Sequence, residues 1–158
     1  MPENATLKLV LEEMRSNMDH ILGNGDVIDQ KINNLLGVAG AILTIASTLQ
    51  ISLSPSRSVI YWYVLGFTII LYVVAFCIIV LSARPREHRL AISSKWEDLD
   101  KDLLNLNEKE ALLKMLAGYS DQIAFNEAIN FRKAKLLNCS LLLLITIVIL
   151  ITALLVIP

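Results

Sequence analysis

From Leu136 to Ile157 almost every residue is Leu, Ile, Val or Ala, none is charged, and the polar run from Tyr119 leads into this stretch without a proline. An apolar run of this length is long enough to cross a hydrocarbon core of about 30 Å as a helix. Arg132, Lys133 and Lys135 stand just ahead of it, where a helix leaves lipid. With no Pro between Ser120 and Ile157, one helix of roughly 55 Å is expected at 1.5 Å per residue, and nearly half of it must project into water.

Two further apolar runs, Leu35 to Leu53 and Val59 to Ala83, bring the expected spans to three. The 158 residues fit one domain, and a hydrophobic content of 55% exceeds the soluble norm because of these runs. A formal net charge of -1, with no Lys/Arg cluster interleaved with aromatics, excludes nucleic acid as a partner. The start Met1-Pro2-Glu3-Asn4 has no positive region and the first apolar run begins only at Leu35, so a cleavable signal peptide is not expected. Cys77 and Cys139 lie in or beside spans and read as apolar fillers.

Between Ala5 and Leu22, Leu7, Val10, Leu11, Met14, Met18 and Ile21 recur at three and four, opposite Glu12, Glu13, Arg15, Asn17 and Asp19. The acidic polar face favours docking on another helix over lying on an anionic leaflet. Gly23-Asn24-Gly25 reads as a break, after which Asp26 caps a new helix. Asp29, Lys31, Asn33 and Asn34 form its wet first turns. In the span that follows, Gly37, Ala41 and Thr44 share a side at small-residue spacing, with Gly40, Ser47 and Thr48 close by, and this face is expected to pack on another helix. Ser47, Thr48 and Gln50 either bond back to their own helix and reach the interface, or line an aqueous path in an assembly.

Ser54 to Ser58 reads as a short turn closing a tight hairpin, and Tyr61-Trp62-Tyr63 as interfacial anchors. Ser94 to Glu97 and Asn107 to Glu110 carry the helix-start pattern, and Trp96, Leu99, Leu103 and Leu104, then Leu112, Leu113 and Leu116, form apolar patches. Gly118 suits the stop before the last helix. Arg84, Arg86, Arg89, Arg132, Lys133 and Lys135 flank the long connection while the short turn has only Arg57, which makes the connection cytoplasmic.

The expected fold is therefore an all-α membrane protein with three transmembrane helices and a helical cytoplasmic part, N-terminus in and C-terminus out. Residues 1–25 form an amphipathic helix, 26–53 a helix with the first span, 59–83 the second span, 84–118 short helices and 119–158 the long helix with the third span. The chain is thus expected to be a multi-pass membrane protein.

Enzymatic chemistry needs a nucleophile with its base, paired carboxylates in a cleft, or a metal set. His20 and His88 are isolated, Asp98, Asp100 and Asp102 sit at helix-start positions, and no phosphate-cradling glycine loop occurs. A non-enzyme without metal or cofactor is expected. A transporter is disfavoured by the absence of an internal repeat and of ionisable residues deep in a span.

Asp29-Gln30-Lys31 leading into Leu35-Leu36-Gly37-Val38-Ala39-Gly40-Ala41, and Tyr119, Asn126, Asn130 and Lys133-Ala134-Lys135 leading into the last span, together resemble the transmembrane module of Pycsar effectors (PycTM) and related SLATT-type modules. The resemblance covers the chain from Asp26 onward. It implies a bacterial or archaeal effector that assembles in the inner membrane and impairs it during phage infection. Asp29, Lys31, Asn126, Lys133 and Lys135 fall on its motif positions. Read singly, the lysines are cytoplasmic-side anchors and Asp29 a helix-start acid. The chain departs from the pattern in having no fused nucleotide-binding domain, which leaves a partner protein or an interfacial ligand as the expected trigger. Two functions follow: a homo-oligomer in the lipid bilayer that perturbs it, or a membrane-anchored sensor or scaffold that recruits a soluble cytoplasmic signalling partner.

Overall fold

The computed structural model describes residues 2–52, 58–84 and 106–156. All three elements found there are helices: α1 (Pro2–Ser52), α2 (Val59–Ala83) and α3 (Glu108–Val156). Two of them, α2 and α3, are long and apolar enough to cross a membrane. The expected turn from Ser54 to Ser58, apart from Ser58 itself, the helix start at Ser94, the patch from Trp96 to Leu104, His88 and the acids Asp98, Asp100 and Asp102 lie outside the described residues, as does the side chain of Gln50.

Two expected boundaries are absent. The helix α1 passes through Gly23, Asn24 and Gly25, and no described glycine has a positive φ. Likewise α3 starts at Glu108 and continues through Gly118, so no separate helix begins at Tyr119. The reason lies in the spacing of the inward residues. Along α1, Asn4, Leu7, Leu11, Met14, Met18, Ile21, Gly25, Ile28, Ile32, Leu35, Ala39, Ile42 and Ala46 are buried or half-buried at strictly alternating steps of three and four. This is a heptad seam, with a 3.5-residue period that rewards an unbroken helix. A glycine inside a helix costs about 1 kcal/mol, less than is lost by interrupting a seam with partners on both sides. Val10 falls off the seam and is exposed, whereas Glu12, Glu13, Arg15, Asn17 and Asp19 lie on the expected polar face.

The start of α3 follows its sequence signal. The Asn107 side chain accepts the Glu110 N–H at 2.9 Å and its carbonyl accepts that of Ala111 at 2.9 Å, which caps the first turn. Ser58 caps α2 through the Tyr61 N–H.

The chain divides into two compact units. The first comprises residues 1–27 and 86–132. Lys8 pairs with Glu108 at 2.6 Å, and the Asn130 side chain donates to the Ile21 carbonyl, so α1 and α3 run parallel in this unit. Met18, Ile21, Leu112 and Ile129 are its buried apolar residues. The hydrogen bond and charge of Lys8, helped by the Asn4 amide, hold the Glu108 carboxyl below its usual range. What this contact adds is present above the ordinary carboxylate range and is lost as pH falls through the lowered value.

The second unit comprises residues 28–85 and 133–158. One core joins Ile32, Leu35 and Ala39 of α1, Ala75 and Ile79 of α2, and Leu144 and Ile147 of α3. Ala39 and Ala75 are fully buried, and the Tyr72 hydroxyl donates to the Ala39 carbonyl at 3.2 Å. Because α2 begins soon after α1 ends, a contact between Ala39 and Tyr72, similarly distant from those ends, makes α1 and α2 an antiparallel hairpin.

An alanine Cβ at Gly23 would meet nothing within 4 Å, and the backbone there is helical. Gly23→Ala is therefore expected to stabilise the protein by about 0.5–1 kcal/mol. Thermal unfolding in detergent measures this, and a loss of stability would restore the turn.

Candidate functional site

Lys133 stands at an inward position of α3, one heptad after Asn126 and one before Ser140. Its exposure is 2%, beside Asn126 and Ser140 at 0%, so three polar residues at heptad spacing face inward. A buried ammonium needs a counter-charge, since burying it alone costs several kcal/mol. Asp29 supplies one. Lys133 Nζ lies 2.6 Å and 2.8 Å from the two carboxylate oxygens of Asp29, within the second unit. The pair is asymmetric, because the Asp29 side chain keeps 42% of its surface exposed. Water can therefore still reach the carboxylate but not the ammonium.

The first unit holds a second polar group. Gln122, Asn126 and Asn130 follow one another by four residues along one face of α3. The Asn126 amide donates to the Met18 sulfur at 3.6 Å, and Asn130 Nδ2 donates to the Ile21 carbonyl at 2.8 Å. That carbonyl already belongs to the ladder of α1. Its helical partner four residues on is the buried Gly25. Gln122 Oε1 and Asn130 Oδ1 are buried without a hydrogen-bond partner.

The expected motif residues therefore divide. Asp29 and Lys133 meet, which replaces their separate reading as helix-start acid and anchor. Asn126 is buried in the first unit. Lys31 and Lys135 are exposed, as anchors would be. Sequence reading missed the burial of Lys133 and the role of Ser140; the equal spacing of Asn126, Lys133 and Ser140 was the available signal.

The small-residue face is not used within the chain. Gly37, Gly40, Ala41, Thr44, Ser47 and Thr48 are all exposed, and a Cβ at Gly37 or Gly40 would meet nothing within 4 Å. The helices of this chain instead pack on Ile32, Leu35 and Ala39, because the heptad seam sets which side of α1 is covered. The hydroxyls of Thr44, Ser47 and Thr48 donate to the carbonyls of Gly40, Leu43 and Thr44 at 2.8–3.0 Å. This matches their bonding back to their own helix.

Among the described residues no group of three or more His, Cys, Asp or Glu could hold a metal. His20 lies 3.1 Å from the Asn24 amide on an exposed face, and Cys77 and Cys139 are free and exposed.

An all-helical chain with helices apolar enough to span a membrane and a buried cross-helix ion pair defines the class. The family is shown by a family model, the Pycsar effector protein domain (PycTM), which matches residues 13–158. The chain belongs to this family of Pycsar effectors. No curated protein and no solved structure matches it significantly.

Single and double substitutions separate the two ends of the ion pair. Asp29→Asn strands a buried charge and is expected to cost about 3 kcal/mol; Lys133→Met strands a carboxylate that water still reaches and should cost less. The double variant should recover most of the loss. Unfolding midpoints in detergent report the order, and equal losses from both single variants would contradict the asymmetry.

Proposed function

We propose that the protein is a small integral membrane effector that assembles as a homo-oligomer in the inner membrane and, once activated in antiphage defence, perturbs or permeabilises that membrane. The observation that carries this reading is membership of the Pycsar effector family over residues 13–158. In the proposed topology the C-terminal part of α1 crosses the bilayer beside α2 and α3, with the N-terminus inside and the C-terminus outside. Three features support it. Ile32, Leu35 and Ala39 share one core with the two candidate spans. The helices α1 and α2 form a hairpin. The charged side chains described in the second unit, Asp29, Lys31, Arg84, Lys133 and Lys135, stand toward the end of that unit that would face the cytoplasm.

Oligomerisation is supported by the glycines that the chain leaves unused. Gly37 and Gly40 weaken their helix, and their own chain gives them no packing role. A neighbouring copy approaching along Gly37, Gly40, Ala41, Thr44 and Thr48 would give them one. The reading makes the protein a non-enzyme without resident metal or cofactor, and it includes no nucleic-acid partner.

A second reading, a membrane-anchored sensor or scaffold that recruits a soluble cytoplasmic partner, draws on Leu9 and Leu113, which are large, apolar and exposed in the first unit. It predicts a stoichiometric complex and no leak from liposomes.

Expression in a bacterial host should depolarise the inner membrane, read with a potential-sensitive dye. Gly37→Leu with Gly40→Leu leaves the chain's own packing intact, so membrane expression and helicity should persist while the oligomer and the depolarisation are lost. Full depolarisation by a monomeric double variant would refute the oligomeric effector.

A further inference from the structure

The geometry points to a collar of three exposed cations, Lys31, Arg84 and Lys135, that binds the anionic headgroups of phospholipids at one end of the second unit. This inference rests on the membrane reading above. The charged side chains described in that unit are four cations and one anion, all toward the same end of the unit. The ion pair sets the level: Lys31 follows Asp29 by two residues, Lys135 follows Lys133 by two, and the pair joins these helices at 2.6 Å. Tyr72 meets Ala39, so in the antiparallel hairpin Ala83, eleven residues beyond Tyr72, comes level with Ile28, eleven before Ala39, and Arg84 follows it. The three cations thus belong to three neighbouring helices within about a turn of one depth.

The pair also decides the sign. Asp29 is the only acid described in this unit, and the buried Lys133 neutralises it, so the surface that remains is uniformly cationic. Exposed amides accompany the cations: Asn34 on α1 and Asn138 on α3 offer further donors to phosphate oxygens. Below the collar the described residues carry no charge, and Val38 and Leu43 on α1 and Leu141, Leu142 and Ile145 on α3 are exposed and apolar. A surface with cations above an apolar wall matches a phosphodiester headgroup with acyl chains beneath it, and a soluble anion would use only the upper part. Selectivity is expected to follow charge, at about fivefold per engaged cation, and to fall with salt.

The full chain, reconstituted in vesicles of phosphatidylglycerol and phosphatidylcholine in equal amounts, is extracted and its retained lipids counted by native mass spectrometry. Phosphatidylglycerol should be enriched at least about fivefold, the effect of one engaged cation, and more where a headgroup meets two. Lys31→Gln, Arg84→Gln and Lys135→Gln together should bring the ratio close to one, whereas Lys31→Arg, Arg84→Lys and Lys135→Arg should preserve it. Equal retention of both lipids by the native chain, or unchanged enrichment in the glutamine variant, overturns the collar. So does loss of the enriched lipid to millimolar inorganic phosphate, which would identify a soluble-anion site. Vesicle flotation separates this failure from a deeper one: a chain that floats with both lipids keeps the membrane reading, and one that floats with neither overturns both.

Discussion

The contact between Lys133 and Asp29 is the constraint on which the second unit depends. Where helices are surrounded by lipid tails, burial of apolar side chains gives little net attraction, because the tails are as apolar as leucine. Van der Waals fit and polar contacts must then choose the partner and the register. Ile32, Leu35, Ala75, Ile79, Leu144 and Ile147 supply the fit. A shift of one residue along such a seam exchanges one aliphatic side chain for another at modest cost. The same shift would withdraw the Asp29 carboxylate from an ammonium that is only 2% exposed. The ion pair therefore penalises misregistration more than it adds to stability, as polar residues at seam positions do in coiled coils.

Much of the helical architecture was legible in the amino-acid sequence, and the errors share one origin. The apolar run from Val59 to Ala83 coincides with α2, and Asn107 caps α3 as its spacing implied. Gly23, Gly25 and Gly118 were misread as stops because local propensity was weighed without the seam. Gly25 shows the difference most clearly. As an isolated residue it favours a turn, but in α1 it occupies a buried heptad position. The 3.5-residue period running through Ile21 and Ile28 was the stronger signal, and it spans the glycine.

The candidate site was half legible. Asp29, Asn126 and Lys133 could be picked out by family resemblance, but their partners could not, since Asp29 and Lys133 are 104 residues apart in the chain. Arg132, Lys133 and Lys135 look alike as a basic flank. Only the helical phase distinguishes them, turning Lys133 inward and leaving the other two exposed. The small-residue face shows a related limit of local pattern. Glycine, alanine and threonine at spacing four show that a helix can be approached closely, and they do not say by which neighbour. Within this chain the close approach uses Ala39 and Ala75 instead.

Hydrogen-bond satisfaction separates the two units further. In the second, the buried hydroxyls of Thr68, Ser82 and Ser140 each donate to a carbonyl of their own helix, and the buried ammonium has its carboxylate. In the first, the acceptors Gln122 Oε1 and Asn130 Oδ1 are buried without donors. Each such orphan costs about 1–3 kcal/mol relative to a satisfied group. Any rearrangement that parted α1 from α3 in the second unit would lose this buried charge pair.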